Sequence, residues 1–165
     1  MYLRNIVFAA CLALSTPPAP VHAGTGNPVL SVVAPQIAGG AVDFDMAALE
    51  AMPQSGFSTS TVWTDGTHEY SGIPLKALLA RLGITSGEIK ATALNDYSVT
   101  IPIDSLEDDA PILAIHVDGK AFSRREKGPV WLIYPFDAAE RYRTEQIFGR
   151  SIWQLRSLDL VTATP

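Results

Sequence analysis

Ser71-Gly72-Ile73-Pro74-Leu75-Lys76-Ala77-Leu78-Leu79-Ala80-Arg81-Leu82-Gly83 is the stretch whose reading decides the fold. Leu75, Leu78, Leu79 and Leu82 recur at helical spacing, while Lys76 and Arg81 fall off that stripe. Pro74 suits the start of a helix and Gly83 its end. One face of a short helix must therefore bury against something, and the flanking sequence supplies sheet. Upstream, Phe57 to Trp63 alternates apolar and hydroxyl residues, and Asp65-Gly66 is the expected two-residue hairpin turn. Downstream, Ile89–Leu94 and Tyr97–Ile103 flank Asn95-Asp96, a second hairpin signal. Ile112–Val117 ends at Asp118-Gly119, and Val130–Tyr134 is a short continuous apolar run, as in a strand buried on both faces. Farther out lie a β-rich run, Val29–Ile37, a helical stretch, Met46–Met52, with Asp45 as N-cap, and a final segment, Ser151–Val161, β-rich at its end. About seven strands and two or three short helices make a β-rich α+β domain with a mixed sheet.

The 165 residues, 47% apolar and 18% charged, have the composition of one globular domain. The formal net charge of −5 excludes general binding to nucleic-acid phosphates. Residues 1–23 read as a signal peptide. Arg4 gives a positive start, Ile6–Leu14 a short apolar run, and Val21-His22-Ala23 a small-residue cleavage site. The expectation is export to the periplasm or outside the cell, with residues 24–165 as a single domain and no membrane span after cleavage. Cys11, the only cysteine, lies in that leader. The expected mature chain has no thiolate for catalysis, zinc or iron–sulfur ligation.

Charge is unevenly placed. Gly24 to Asp118 holds three basic and twelve acidic residues; Gly119 to Pro165 holds eight basic and five acidic. The C-terminal cations either gather into a pocket for a phosphate, sulfate or carboxylate, or pair internally with the acidic part. Arg124, Arg125 and Arg143, which flank Gly128–Pro135, are the candidate anion ligands. His68 and His116 lack the partners a zinc site needs, and Glu107-Asp108-Asp109 lacks calcium-loop spacing. No G-x-S-x-G elbow, P-loop or dinucleotide fingerprint occurs.

Several segments, in order, resemble the sulfite-oxidase-type molybdopterin-binding domain. Ser71-Gly72-Ile73-Pro74-Leu75 with Leu78-Leu79 is similar to its W/Y-x-G-V/I-P-L-x-x-L-L segment, and Asn95-Asp96-Tyr97-Ser98-Val99 to its D-G-Y hairpin. Ile112-Leu113-Ala114 with Asp118-Gly119-Lys120 resembles the L-L-A…(N/D)-G-x-P-L strand. Gly128-Pro129-Val130-Trp131-Leu132-Ile133-Tyr134-Pro135 resembles G-x-P-x-R-L-V-V-P, and Ser151-Ile152-Trp153-Gln154-Leu155 stands where the family has W-x-K-x-I. The resemblance implies that fold, a molybdenum bound to a pterin dithiolene, and a cysteine ligand shortly before the G-V-P-L helix. Here that segment reads Ser58-Thr59-Ser60-Thr61-Val62-Trp63. Ser60 and Thr61 offer only hydroxyls where a soft thiolate suits the metal, and Trp131 replaces the pattern's arginine.

The expectation is therefore the family's scaffold without molybdenum chemistry and without a cofactor, so whether the chain is an enzyme is left open. It would act as a monomeric module binding a small anion or a partner protein, in a cleft between Phe57–Trp63 and the Arg-rich C-terminal third. Two alternatives stand beside it: a molybdopterin-dependent oxidoreductase, and a structural partner of another exported or membrane protein.

Overall fold

The computed structural model describes residues 21–161, apart from 124 and 126. Most of the expected leader and Arg124 thus lie outside the described residues. Eleven strands and three short α-helices are described in chain order. They are β1 (Val21–Ala23), β2 (Leu30–Val33), β3 (Ala41–Phe44), α1 (Met46–Glu50), β4 (Ser55–Thr61), β5 (Thr64–Pro74) and α2 (Leu75–Arg81). There follow β6 (Glu88–Ala93), β7 (Ser98–Pro102), β8 (Ile112–Val117), β9 (Lys120–Ala121), β10 (Trp131–Ile133), α3 (Glu145–Arg150) and β11 (Leu155–Val161). The α+β expectation holds. Extra strands arise where the sequence was read otherwise: β3 occupies residues assigned to the approach to a helix, and β9 is only two residues long.

The strands form two sheets. The first is mixed, in the order β1-β3-β2-β11-β6-β7, with β1 parallel to β3 and β11 parallel to β2. The second is antiparallel, in the order β10-β8-β5-β4, with β9 added on β8. Leu132 bridges to Ile152, tying β10 of the second sheet to the segment that leads into β11 of the first.

Helix α2 behaves as its leucines require. Leu75, Leu78 and Leu79 are buried, the Gly83 N–H donates to the Ala80 carbonyl at 3.0 Å, and Gly83 takes the left-handed φ of +74°. Pro74 ends β5 and serves as the N-cap. The turn from strand to helix is tied down by the Leu75 N–H, which donates to the Pro111 carbonyl at 3.0 Å. Gly72 allows β5 and β8 to approach: a Cβ there would lie 1.9 Å from the Leu113 carbonyl oxygen.

In the second sheet, β10, most of β8 and the end of β5 are buried on both faces. Leu113, Ile115 and Leu132 enter an aliphatic core shared with the first sheet and α2. Ile112, Ala114, Trp131 and Ile133 point the other way, into a cluster with Tyr70, Phe122, Tyr134, Phe136 and Tyr142. This alternation explains why Val130–Tyr134 reads as a continuous apolar run. The segment 134–150 covers that outer face, and its carboxylates and guanidiniums build the site.

Two expected boundaries move. Val29–Ile37 is strand only to Val33; the Ile37 N–H then closes a turn on the Ala34 carbonyl. The β4–β5 hairpin turns at Val62-Trp63, with Thr61 opposite Thr64, not at Asp65-Gly66, which lie inside β5. The Thr61 hydroxyl decides this, because it accepts the Trp63 N–H at 3.0 Å and bonds the Thr64 hydroxyl at 2.8 Å.

Candidate functional site: a serine held by a carboxylate beside an aromatic cleft

The end of β4 meets the segment after β10. Thr59 is fully buried, and its hydroxyl accepts the Asp137 N–H at 3.0 Å. That bond turns the Asp137 carboxylate back onto Ser60. One oxygen accepts the Ser60 N–H at 2.6 Å; the other accepts the Ser60 hydroxyl at 3.0 Å and the Arg143 guanidinium at 2.6 Å. Arg143 is aimed by its own Nε, which donates to the Phe136 carbonyl at 3.0 Å. Above all the Ser60 amide, then Arg143 and the Ser60 hydroxyl, hold the Asp137 carboxyl below its ordinary 3.8. It is an anion at neutral pH, fully engaged by donors.

Of the five residues singled out from sequence, the structure brings Ser60 and Arg143 together, and the residue joining them is Asp137. Thr61 belongs to the hairpin turn. Arg125 is exposed on the loop after β9 and makes no ion pair among the described residues. Arg124 lies outside the described residues. Other C-terminal cations pair across the charge divide: Arg141 takes Glu107 with two bonds of 3.1 and 3.0 Å, and Arg156 takes Asp96 at 3.2 Å. Arg141 correspondingly holds the Glu107 carboxyl below its usual range.

Beyond Ser60, the hairpin tip carries Trp63 inward. Its ring meets Trp131, Phe136, Phe148 and Trp153 edge-on, with centroids 5.6–6.1 Å apart. Such edge-to-face contacts fix ring orientation as well as burying area. Beside them a half-open cleft of about 330 Å³ lies between Trp63, the β6–β7 turn, α3 and Trp153.

The donor set bears on the cofactor implied by the resemblance. Ser60 stands in the segment where a cysteine ligand is expected, yet its amide and hydroxyl both point at a carboxylate. Trp131, at the place of the pattern's arginine, is wholly buried against Tyr70 and Trp63, and among the described residues its Nε1 has no hydrogen-bond partner. A hard carboxylate–hydroxyl pair and an indole replace a soft anionic sulfur and a guanidinium. These residues do not fit a molybdenum–dithiolene group.

Sequence reasoning missed Asp137 because nothing local marks it; its contacts with Ser60 span 77 positions. No curated protein matches this chain. The sequence profile of the oxidoreductase molybdopterin-binding domain matches residues 41–142, from β3 to the turn preceding α3. With that match covering more than half its length, and the G-I-P-L helix and D-G-K turn placed as the resemblance required, the chain belongs to the oxidoreductase molybdopterin-binding domain family.

Proposed function

We propose that this member of the family is an exported binding module that works without molybdenum. The observation that supports the reading is the Asp137 carboxylate, which engages both the amide and the hydroxyl of Ser60, in the segment where the resemblance implies a metal-ligating thiolate. Replacing a metal–thiolate bond by a neutralised Ser60–Asp137–Arg143 cluster keeps the hairpin closed onto the segment after β10. It leaves no soft ligand for the metal. Fold alone does not carry the chemistry of relatives. What the scaffold retains is a rigid wall of aromatic rings next to a cleft, which suits recognition.

Arg143 is neutralised by Asp137, so support for a ligand site rests on the cleft beside Trp63 more than on a cationic pocket. The test is the metal and pterin content of the protein purified from cells that make the molybdenum cofactor. Less than about a tenth of an equivalent of molybdenum is expected, given the hard oxygen donors at Ser60. Near-stoichiometric molybdenum with bound pterin would overturn the reading in favour of an oxidoreductase.

A further inference from the structure

We propose that the cleft bounded by Trp63, Tyr97, Phe148 and Trp153 binds a planar aromatic molecule bearing one carboxylate. The inference rests on the metal-free reading above and gives its ligand a chemical class.

Shape supports it first. At about 330 Å³ and open on one side, the cleft is in the size range of small-molecule sites. Trp63 is a rigid platform, pinned edge-on by Trp131 and Phe136 behind it and by Phe148 and Trp153 at the cleft. Tyr97 closes one side, its hydroxyl donating to the Gly149 carbonyl at 2.8 Å although the ring is half exposed. Ring walls of this kind favour a flat guest, which gains both stacked and edge-on contacts; a puckered ring gains area alone.

Polarity selects the guest's charge. Among the described residues, no carboxylate lines the cleft. Asp96, in the neighbouring turn, is paired with Arg156. Lys127 places its ammonium 5.5 Å above the centre of the Trp153 ring and makes no ion pair among the described residues. Asn95 uses its carboxamide oxygen to accept the Tyr97 N–H at 3.2 Å, which leaves its NH₂ group as a donor at the rim. A cation over the ring of one wall residue, Trp153, and a donor on the lining residue Asn95 match an aromatic carboxylate.

The backbone supplies an independent observation. Among the described residues, four non-glycine residues have positive φ, and three adjoin residues that line the cleft: Asp96 (65°) lies between Asn95 and Tyr97, Gln154 (51°) follows Trp153, and Lys127 (73°) reaches over the Trp153 ring. The last two are joined, the Gln154 N–H donating to the Lys127 carbonyl at 2.9 Å. The Gln154 carbonyl accepts the Leu94 N–H at 2.9 Å. Left-handed backbone at such residues is unfavourable and persists where the surroundings impose it, often at ligand sites. Here it holds Lys127 over Trp153.

The test is calorimetric titration of the full chain with 2-naphthoate, its uncharged amide 2-naphthamide, cyclohexanecarboxylate and sulfate. Saturable binding of both naphthyl compounds is expected, the carboxylate about 3- to 5-fold tighter, as for one exposed ion pair. Lys127→Gln should remove that preference while leaving 2-naphthamide unchanged. Trp153→Leu should weaken both naphthyl compounds about tenfold. Lys127 is on a surface loop, so its variant reports even if Trp153→Leu fails to fold. Absence of saturable naphthyl binding, equal binding of cyclohexanecarboxylate, or an unchanged preference in Lys127→Gln would overturn the inference. Failure here with molybdenum-free protein leaves the metal-free reading intact; stoichiometric molybdenum removes that reading itself.

Discussion

The two faces of the second sheet bury similar strands in different company. Toward the first sheet, Leu113, Ile115 and Leu132 pack among leucines, isoleucines and valines from α2, β2, β6 and β11. Toward segment 134–150, Trp131 and Tyr70 pack among rings, and two buried polar atoms, Trp131 Nε1 and Tyr134 Oη, have no hydrogen-bond partner among the described residues. Burial pushes the Tyr134 hydroxyl up to about 12. The aliphatic face is a closed packing problem, solved by volume and shape. The aromatic face keeps unmatched polar groups, and its rings Trp63, Phe148 and Trp153 form one side of the cleft. The difference teaches that one sheet can pack by shape alone on one face and by oriented rings on the other.

The comparison breaks most readily at α2. Leu79 is fully buried, and Leu79→Ala should cost about 2–5 kcal/mol, because the cavity closes only partly. The midpoint of denaturant unfolding checks this; an unchanged midpoint would mean that the helix does not face the core.

A smaller effect is expected across the sheet. Trp131→Phe loses ring volume but also removes a buried N–H whose lack of a partner costs about 1–3 kcal/mol. The net change should stay within about 1.5 kcal/mol. A loss as large as that of Leu79→Ala would show that the aromatic face is packed as strictly as the aliphatic one.

These contrasts explain what was legible in the sequence. The leucine stripe of α2 is a local pattern, and so is the Asn95-Asp96 turn, where the Ala93 N–H donates to the Tyr97 carbonyl at 2.9 Å and Asp96 takes a left-handed φ. The β4–β5 turn was misplaced because the Thr61 hydroxyl outcompetes an Asp-Gly pair that looks equally good on paper. The charge divide was visible, but its meaning needed contacts such as Arg141–Glu107, which span 34 positions. Asp137 was invisible: one aspartate among many, given its role only when β4 and the segment after β10 meet.

The smallest expected effect joins the same hairpin to the β8–β9 turn. His68 Nδ1 lies 2.7 Å from Asp118 Oδ2, and its Nε2 lies 2.8 Å from the Asp65 carbonyl oxygen. Chiefly the Asp118 bond, then the Asp65 carbonyl, raises the His68 pKa above its ordinary 6.5. A raised folded value means stabilisation that is fully present below pH 6.5 and is lost as pH rises through the folded value. Both partners are partly exposed, so the gain is small and screened by salt. Thermal melts at acidic and alkaline pH should show this difference in wild type but not in His68→Ala; an equal difference in both would place its origin elsewhere.

The central claim is that the Asp137 carboxylate holds Ser60, in the segment where the resemblance implies a metal ligand, and the Ser60 amide reports on it directly. In a two-dimensional NMR pH titration, the Ser60 N–H should resonate far downfield at neutral pH. It should move upfield in acid with a midpoint below 3.8, following protonation of Asp137, and Asp137→Asn should abolish the movement. A Ser60 amide that ignores acid, or that moves equally in Asp137→Asn, would contradict the account.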